Sequence, residues 1–157
     1  MKIIIDGDFC FDKGSWLAWA DIQYGLTHGH LNSQSVVKYA IKRLQVNSSK
    51  TEYELAMLSG KCPHEVSECV ARLAAEDMEG AASARDKWVY LILLWLFENK
   101  KNINDPLSAV EAVYADFGYP EFLAPVIRYM PSSDGAVGEE VLMKKWEKIL
   151  HKYKERF

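Results

Sequence analysis

Apolar side chains recur every three or four positions through most of this chain, the pattern of helices that bury one face and solvate the other. Ser15 is placed to cap a helix carrying Trp16, Leu17, Trp19, Ile22 and Leu26, with Gly25 and Gly29 marking its end. Asn32 or Ser33 can cap a second, with Val36, Val37, Ala40, Ile41 and Leu44 on one face. Thr51 and Glu54 have the spacing of a capping box ahead of Leu55 and Leu58. Pro63 suits the first turn of the next helix, where its missing N–H costs nothing, and Val66, Val70, Leu73 and Ala74 supply the stripe.

Residues 88–97 are apolar on every side, which a central helix requires and a surface helix does not tolerate. Periodicity alone also allows a buried strand; the polar exit through Glu98, Asn99, Lys100 and Lys101, without turn residues, favours a helix. Asp105 and Pro106 cap and open a helix running to about Phe117, with Leu107, Val110, Val113 and Tyr114 inward. Pro120 opens a short helix that ends before Pro131. Residues 132–138 form a loop, and 141–153 a last helix on Leu142, Trp146, Ile149 and Leu150. Two segments fall outside the helical pattern. Residues 1–6, with Ile3, Ile4 and Ile5, read as a short strand or extended arm, and residues 79–84 as a weakly patterned connection too short to divide domains. The expected fold is all-α, a single domain over residues 1–157 with about seven to eight helices and a short extended N-terminal arm.

Size and composition agree with a self-sufficient core. A domain near 157 residues buries roughly 68–70% of its unfolded surface. The ten-residue run 88–97 is half the length of roughly 20 needed to span a bilayer, so no membrane partner is expected. Three cysteines and the lack of a signal-peptide pattern point to a reducing, cytoplasmic setting.

The net charge of -3 argues against a broad nucleic-acid footprint. Its distribution is uneven. Between Ile103 and Met143, the acids Asp105, Glu111, Asp116, Glu121, Asp134, Glu139 and Glu140 face only Arg128, while from Lys144 onward six basic residues face two acids. The plain reading is a solvated face followed by a helix with a basic C-terminus. Aromatics interleave with the acids over Tyr114, Asp116, Phe117, Tyr119, Glu121, Phe122 and Tyr129. Tyrosine offers large contact area at low entropic cost and carboxylates steer a basic partner, so Glu111, Asp116, Tyr119, Glu121, Tyr129 and Asp134 are the candidate partner-binding residues. Core filling between short helices accounts for Phe117 and Phe122 better than for Asp116 and Glu121.

The segments Ser15-Trp16, Asp21-Ile22, Tyr24-Gly25-Leu26, Lys87-Trp88-Val89-Tyr90-Leu91, Trp95-Leu96-Phe97-Glu98-Asn99 and Asp105-Pro106-Leu107 carry a family resemblance. Its most specific part is Tyr114-Ala115-Asp116-Phe117-Gly118-Tyr119-Pro120 followed by Arg128-Tyr129-Met130-Pro131. Together they resemble the bacterial family named domain of unknown function 2247, from about Ser15 to the end, with residues 1–14 and 59–84 less typical. The resemblance implies a mostly helical bacterial cytosolic domain and transfers no catalytic residue. By analogy of size and context, it suggests an immunity protein that neutralises a toxin.

Catalytic alternatives rest on fewer residues. Ile3-Ile4-Ile5-Asp6-Gly7-Asp8 looks like a strand ending in two carboxylates, and Asp12 could add a third oxygen ligand for Mg²⁺. Cys62, His64 and Cys69 suggest zinc, but no fourth ligand is fixed among Cys10, His28, His30 and His151. His28 and His30 share a turn without a sequence-defined carboxylate or nucleophile beside them. Trp16, Trp19, Trp88, Trp95 and Trp146 read as core, although Trp16 and Trp19 could line a groove. The reading is a non-enzymatic binding protein with no cofactor and no metal, whose partner is a protein such as a basic toxin domain. The alternatives are a metal-dependent hydrolase or phosphoryl-transfer enzyme using the N-terminal aspartates, or an adaptor domain.

Overall fold

The computed structural model describes residues 3–77, 82–130 and 138–157. Among them the fold is all-α, with helices α1 (Gly7–Lys13), α2 (Trp19–Thr27), α3 (Ser33–Arg43), α4 (Lys50–Met57), α5 (Pro63–Ala75), α6 (Ala84–Glu98), α7 (Pro106–Asp116) and α8 (Glu139–Arg156). Short 3-10 turns occupy Lys100–Asn102 and Glu121–Val126. The chain divides into two compact units, Lys2–Leu91 and Ile92–Phe157, and the division falls inside α6.

In the Lys2–Leu91 unit, the N-terminal arm is extended as expected. The Ile5 N–H donates to the His30 carbonyl at 2.8 Å, and the Ile5 side chain is fully buried while Ile4 points outward. The arm stops at Asp6, whose carboxylate accepts from the Asp8 N–H at 3.0 Å and caps α1, a helix that the sequence pattern did not predict. α1 packs on α3, α3 on α4, α4 on α5, and α5 on α2.

Several helix starts differ from the pattern by a turn or less, each for a local reason. α2 begins at Trp19, not after Ser15, because Asp21 reaches back to the Ala18 N–H at 2.9 Å and closes the first turn there. The capping box of α4 is Ser49 with Glu52, two residues ahead of Thr51 and Glu54; the Glu52 N–H donates to Ser49 Oγ at 3.2 Å. Asn32 caps α3 through the Ser35 N–H at 2.8 Å, and Pro63 opens α5. Ile41, expected on the inner face of α3, is exposed, whereas Val36, Val37, Tyr39 and Ala40 are buried.

Residues 88–97 are helical. α6 begins three residues before the Lys87-Trp88 pair, at Ala84, so part of the expected 79–84 connection is helix; residues 78–81 lie outside the described residues. Trp88, Val89, Leu91, Leu93 and Leu96 have no exposed surface. Full burial of an aliphatic side chain contributes roughly 1.5–3 kcal/mol, which explains why residues 88–97 carry no charged side chain.

In the Ile92–Phe157 unit, Asp105 caps α7 through the Ser108 N–H at 3.2 Å, with Pro106 in the first turn. The segment opened by Pro120 is 3-10 and contains Pro125, which lacks the N–H that an α-helix would use there. α7 and α8 both pack on this turn. α8 is longer than expected at both ends and buries Leu142, Trp146 and Leu150, with the Trp146 ring edge-on to Phe97 at 5.2 Å. Of the expected 132–138 loop, only Gly138, preceding α8, lies within the described residues.

Gly25, expected near the end of α2, sits inside the helix, and a Cβ there would overlap the Trp88 indole. Alanine in a helix is favoured over glycine by about 1 kcal/mol, but overpacking costs about 1–3 kcal/mol. Gly25→Ala is therefore expected to lower stability in urea unfolding; a stabilised variant would show that α2 and α6 can separate without loss.

Candidate functional site

Of the acidic and aromatic residues singled out in the sequence, those within the described residues lie on α7 and on the segment after it. α7 closes with the Phe117 N–H on the Val113 carbonyl, the Gly118 N–H on Ala115 at 3.2 Å and the Tyr119 N–H on Tyr114 at 2.8 Å, the bonding of a Schellman cap. Gly118 supplies the positive φ, 75°, that such a cap requires. Tyr119 then also has a positive φ, 60°. For a bulky residue that conformation costs on the order of 1–3 kcal/mol, and the following Pro120 restricts it further.

This backbone leaves the Tyr119 side chain 61% exposed, with its ring edge against the buried Tyr114 at 5.2 Å. Tyr129 is also 61% exposed. Packing by its neighbours raises the Tyr129 phenol above its ordinary pKa, aided by Tyr114, Glu111 and Tyr119, so these four groups share one electrostatic neighbourhood.

Glu111 is paired within the protein. It accepts from Arg128 Nε at 2.8 Å and from a second guanidinium nitrogen at 3.3 Å. Arg128 also lies 3.2 Å from Asp105 and 4.0 Å from Glu139. The Glu111 hydrogen bond, with Asp105 adding to it, raises the Arg128 pKa, and three acids around one cation leave an excess of negative charge. Asp116 and Glu121 are exposed on the same stretch. Asp134 lies outside the described residues. The structure therefore brings Glu111, Tyr119 and Tyr129 together with Arg128, a residue that by sequence is only a lone counter-charge.

The N-terminal aspartates are used locally. Asp6 caps α1 and pairs with Lys38 at 3.1 Å, and Asp12 pairs with Lys42 at 3.3 Å. Partial burial pushes the Asp6 carboxyl up, but Lys38 and the Asp8 N–H outweigh it and hold the carboxyl below its ordinary value. Cys10 beside them is buried, which pushes its thiol up, with Asp6 adding to the effect. His64 lies 3.1 Å from Glu68, and Cys69 is buried. His28 stacks on Tyr24 at 3.9 Å between ring centres and bonds to the Tyr24 carbonyl at 2.9 Å, while His30 lies 5.7 Å from Trp88, so both imidazoles belong to an aromatic stack at the end of α2. Among the described residues, no three of His, Cys, Asp and Glu come together in a way that could hold a metal ion.

The most constrained polar group is Asp21, which belongs to a segment of the family resemblance but has no role that the sequence assigns. Asp21 is completely buried; its Oδ2 accepts from Lys87 Nζ at 2.8 Å and from the Ala18 N–H, and its carbonyl accepts from the Trp88 indole at 2.8 Å. Oδ1 is buried without a protein donor among the described residues. Nearby, Trp19 packs edge-on to Tyr39 at 5.6 Å beneath the Arg43 guanidinium, 4.9 Å from the indole. Burial pushes the Tyr39 phenol up to about 12 against the opposing Arg43. These groups are enclosed and hold elements together, whereas the Tyr119 turn faces outward.

The fold and this turn define an all-α protein with an exposed acidic and aromatic segment after α7. The chain belongs to the bacterial family described as "Uncharacterized protein conserved in bacteria (DUF2247)", whose model matches residues 7–154. That match begins at Gly7, eight residues ahead of Ser15, and so includes α1. No curated protein matches the chain, and neither does any solved structure.

Two outcomes follow from these pairs. Removing one member of a buried ion pair costs about 3–5 kcal/mol, because the other is left uncompensated. Asp21→Asn is thus expected to destabilise severely in urea unfolding, and Asp21→Asn with Lys87→Met to recover part of that stability; additive effects would mean that the pair is not coupled. For Asp6, Asn can still cap, so Asp6→Asn isolates the charge. Its folded pKa lies below the unfolded 3.8, so the unfolded state binds more protons in that window and stability rises with pH there. The advantage of wild type over Asp6→Asn should be full above 3.8 and vanish as pH falls through the lower folded value. An advantage that persists in acid would assign it to something other than the carboxylate.

Proposed function

We propose that this chain is a non-enzymatic, cytoplasmic binding protein of the immunity type, which neutralises a toxin by covering a basic surface of it. The observation that carries this reading is the Tyr119 turn. An exposed tyrosine is held in a strained backbone conformation beside a second exposed tyrosine and an excess of carboxylates. Folding alone gains little from that arrangement. A partner gains two rigid amphipathic anchors and a field that steers a cationic surface toward them. Nucleases present cationic grooves to nucleic acid, so a basic nuclease domain is the toxin class this chemistry suits best.

Two further features support the setting. Cys10, Cys62 and Cys69 are all free thiols, as a reducing compartment would keep them. Among the described residues, no helix is long and apolar enough to cross a membrane.

The experiment is a titration of the full chain against the C-terminal domain of a toxin encoded directly upstream, where such a gene is present. Tyr119→Asn is informative because asparagine tolerates positive φ. Relief of about 1–2 kcal/mol of backbone strain offsets the roughly 0.5–1.5 kcal/mol that ring packing against Tyr114 contributes in wild type. The variant should therefore melt close to wild type while binding at least about 30-fold more weakly, the scale of a hot-spot truncation. Asp116→Lys with Glu121→Lys should slow association. Unchanged affinity in both variants would remove this face from the interface, and placement of the gene in a metabolic operon would count against the immunity role.

A further inference from the structure

A groove of about 540 Å³ lies between α4 and α5, in the Lys2–Leu91 unit. Glu54, Glu65 and Glu68 stand on its walls, Leu58 and Cys69 line it more deeply, and Met57 projects at the rim, 85% exposed. Arg72 reaches Glu54 at 3.7 Å and the Cys69 sulfur at 3.5 Å. That ion pair is long and its two side chains are largely solvated, so it is worth little to the fold. It nevertheless shows which chemistry the walls accept: a guanidinium over an apolar floor, between carboxylates. The lining residues bring three carboxylates against one guanidinium, and even with His64 standing 3.1 Å from Glu68 the walls keep a surplus of acids.

A small ligand needs enclosure over most of its surface, and this groove is open between two helices. Its form suits a helix laid lengthwise, with an apolar side chain down and cations on either side. We propose that the α4–α5 groove docks a basic amphipathic segment of a partner protein, its Lys or Arg side chains meeting Glu65 and Glu68 and a large apolar side chain covering Met57 and Leu58. A second copy of this chain is a poorer occupant. Its basic helix α8 already buries Leu142, Trp146 and Leu150, and so has no apolar stripe to lay on Met57. The groove residues are separate from Tyr119 and its neighbours, so this inference does not depend on the proposed function.

The probe is a short synthetic helix of leucine and lysine at helical spacing, titrated into the full chain while the Met57 methyl resonance is followed by NMR. The Met57 methyl should shift saturably. Glu65→Lys with Glu68→Lys, both on the exposed side of α5, should weaken binding about tenfold or more. Arg72→Gln should tighten it more than Lys152→Gln, which removes the same charge from α8. Tyr119→Asn should leave it unchanged. A Met57 methyl that does not move, equal binding by the double reversal, or equal effects of Arg72→Gln and Lys152→Gln would each overturn the proposal. So would a dimer in sedimentation that the double reversal dissolves, since the groove would then be filled by a second copy.

Discussion

A carboxylate without access to water must be held by positive charge and hydrogen-bond donors, and Asp21 is the residue on which that constraint falls. Its effective desolvation penalty is several kcal/mol, which only close pairing offsets. One oxygen takes both the Lys87 ammonium and the Ala18 N–H, and the Asp21 carbonyl takes the Trp88 indole. The first contact sets where α2 meets α6, the second sets where α2 begins, and the third seats Trp88 over Gly25. A one-residue slip along α6 would turn Lys87 by about 100° around the helix and strand both charges. The pair therefore selects one register for a helix whose central run, residues 88–97, is apolar on every side and would otherwise allow several.

The same constraint explains what the sequence could and could not reveal. The all-α class, the Asn32 and Asp105 caps, the Pro63 and Pro106 starts and the central run 88–97 were legible, because each depends on residues within one turn of itself. The start of α2 was not. Ser15 is an acceptable cap by local rules, but Asp21 reaches back to Ala18 and is itself fixed by Lys87, 66 residues away. α1 was hidden because Ile3, Ile4 and Ile5 resemble a strand leading to metal-binding acids, whereas Asp6 turns the arm into a helix by capping it. The pairing of Arg128 with Glu111 was equally invisible: the two are 17 residues apart, and the 3-10 turn that carries Arg128 back toward α7 has no periodic signature.

The candidate binding face was legible in composition and illegible in geometry. Interleaved tyrosines and acids marked the segment, but nothing in residue type shows that Arg128 draws three carboxylates around itself or that Tyr119 has a positive φ. Those facts change the roles within the set. Glu111 is a structural partner of Arg128 that also contributes to the local field. On the proposed reading, Tyr119 and Tyr129 would be the contact groups.

Helix electrostatics bears on why the turn is built as it is. The C-terminal end of a helix carries partial negative charge, and basic residues stabilise it there. α8 follows that rule with Lys154 and Arg156, and α3 with Lys42 and Arg43. α7 does the opposite: its last turn has no basic residue, it ends on Asp116, and Glu121 follows within a few residues. The strained Tyr119 backbone is a cost of folding at this place. On the proposed reading, a cationic surface would be drawn by the exposed acids and would cover a tyrosine ring that the fixed backbone already presents. The proposed binding role gives that cost a purpose: the fixed backbone holds an exposed ring where a partner would cover it.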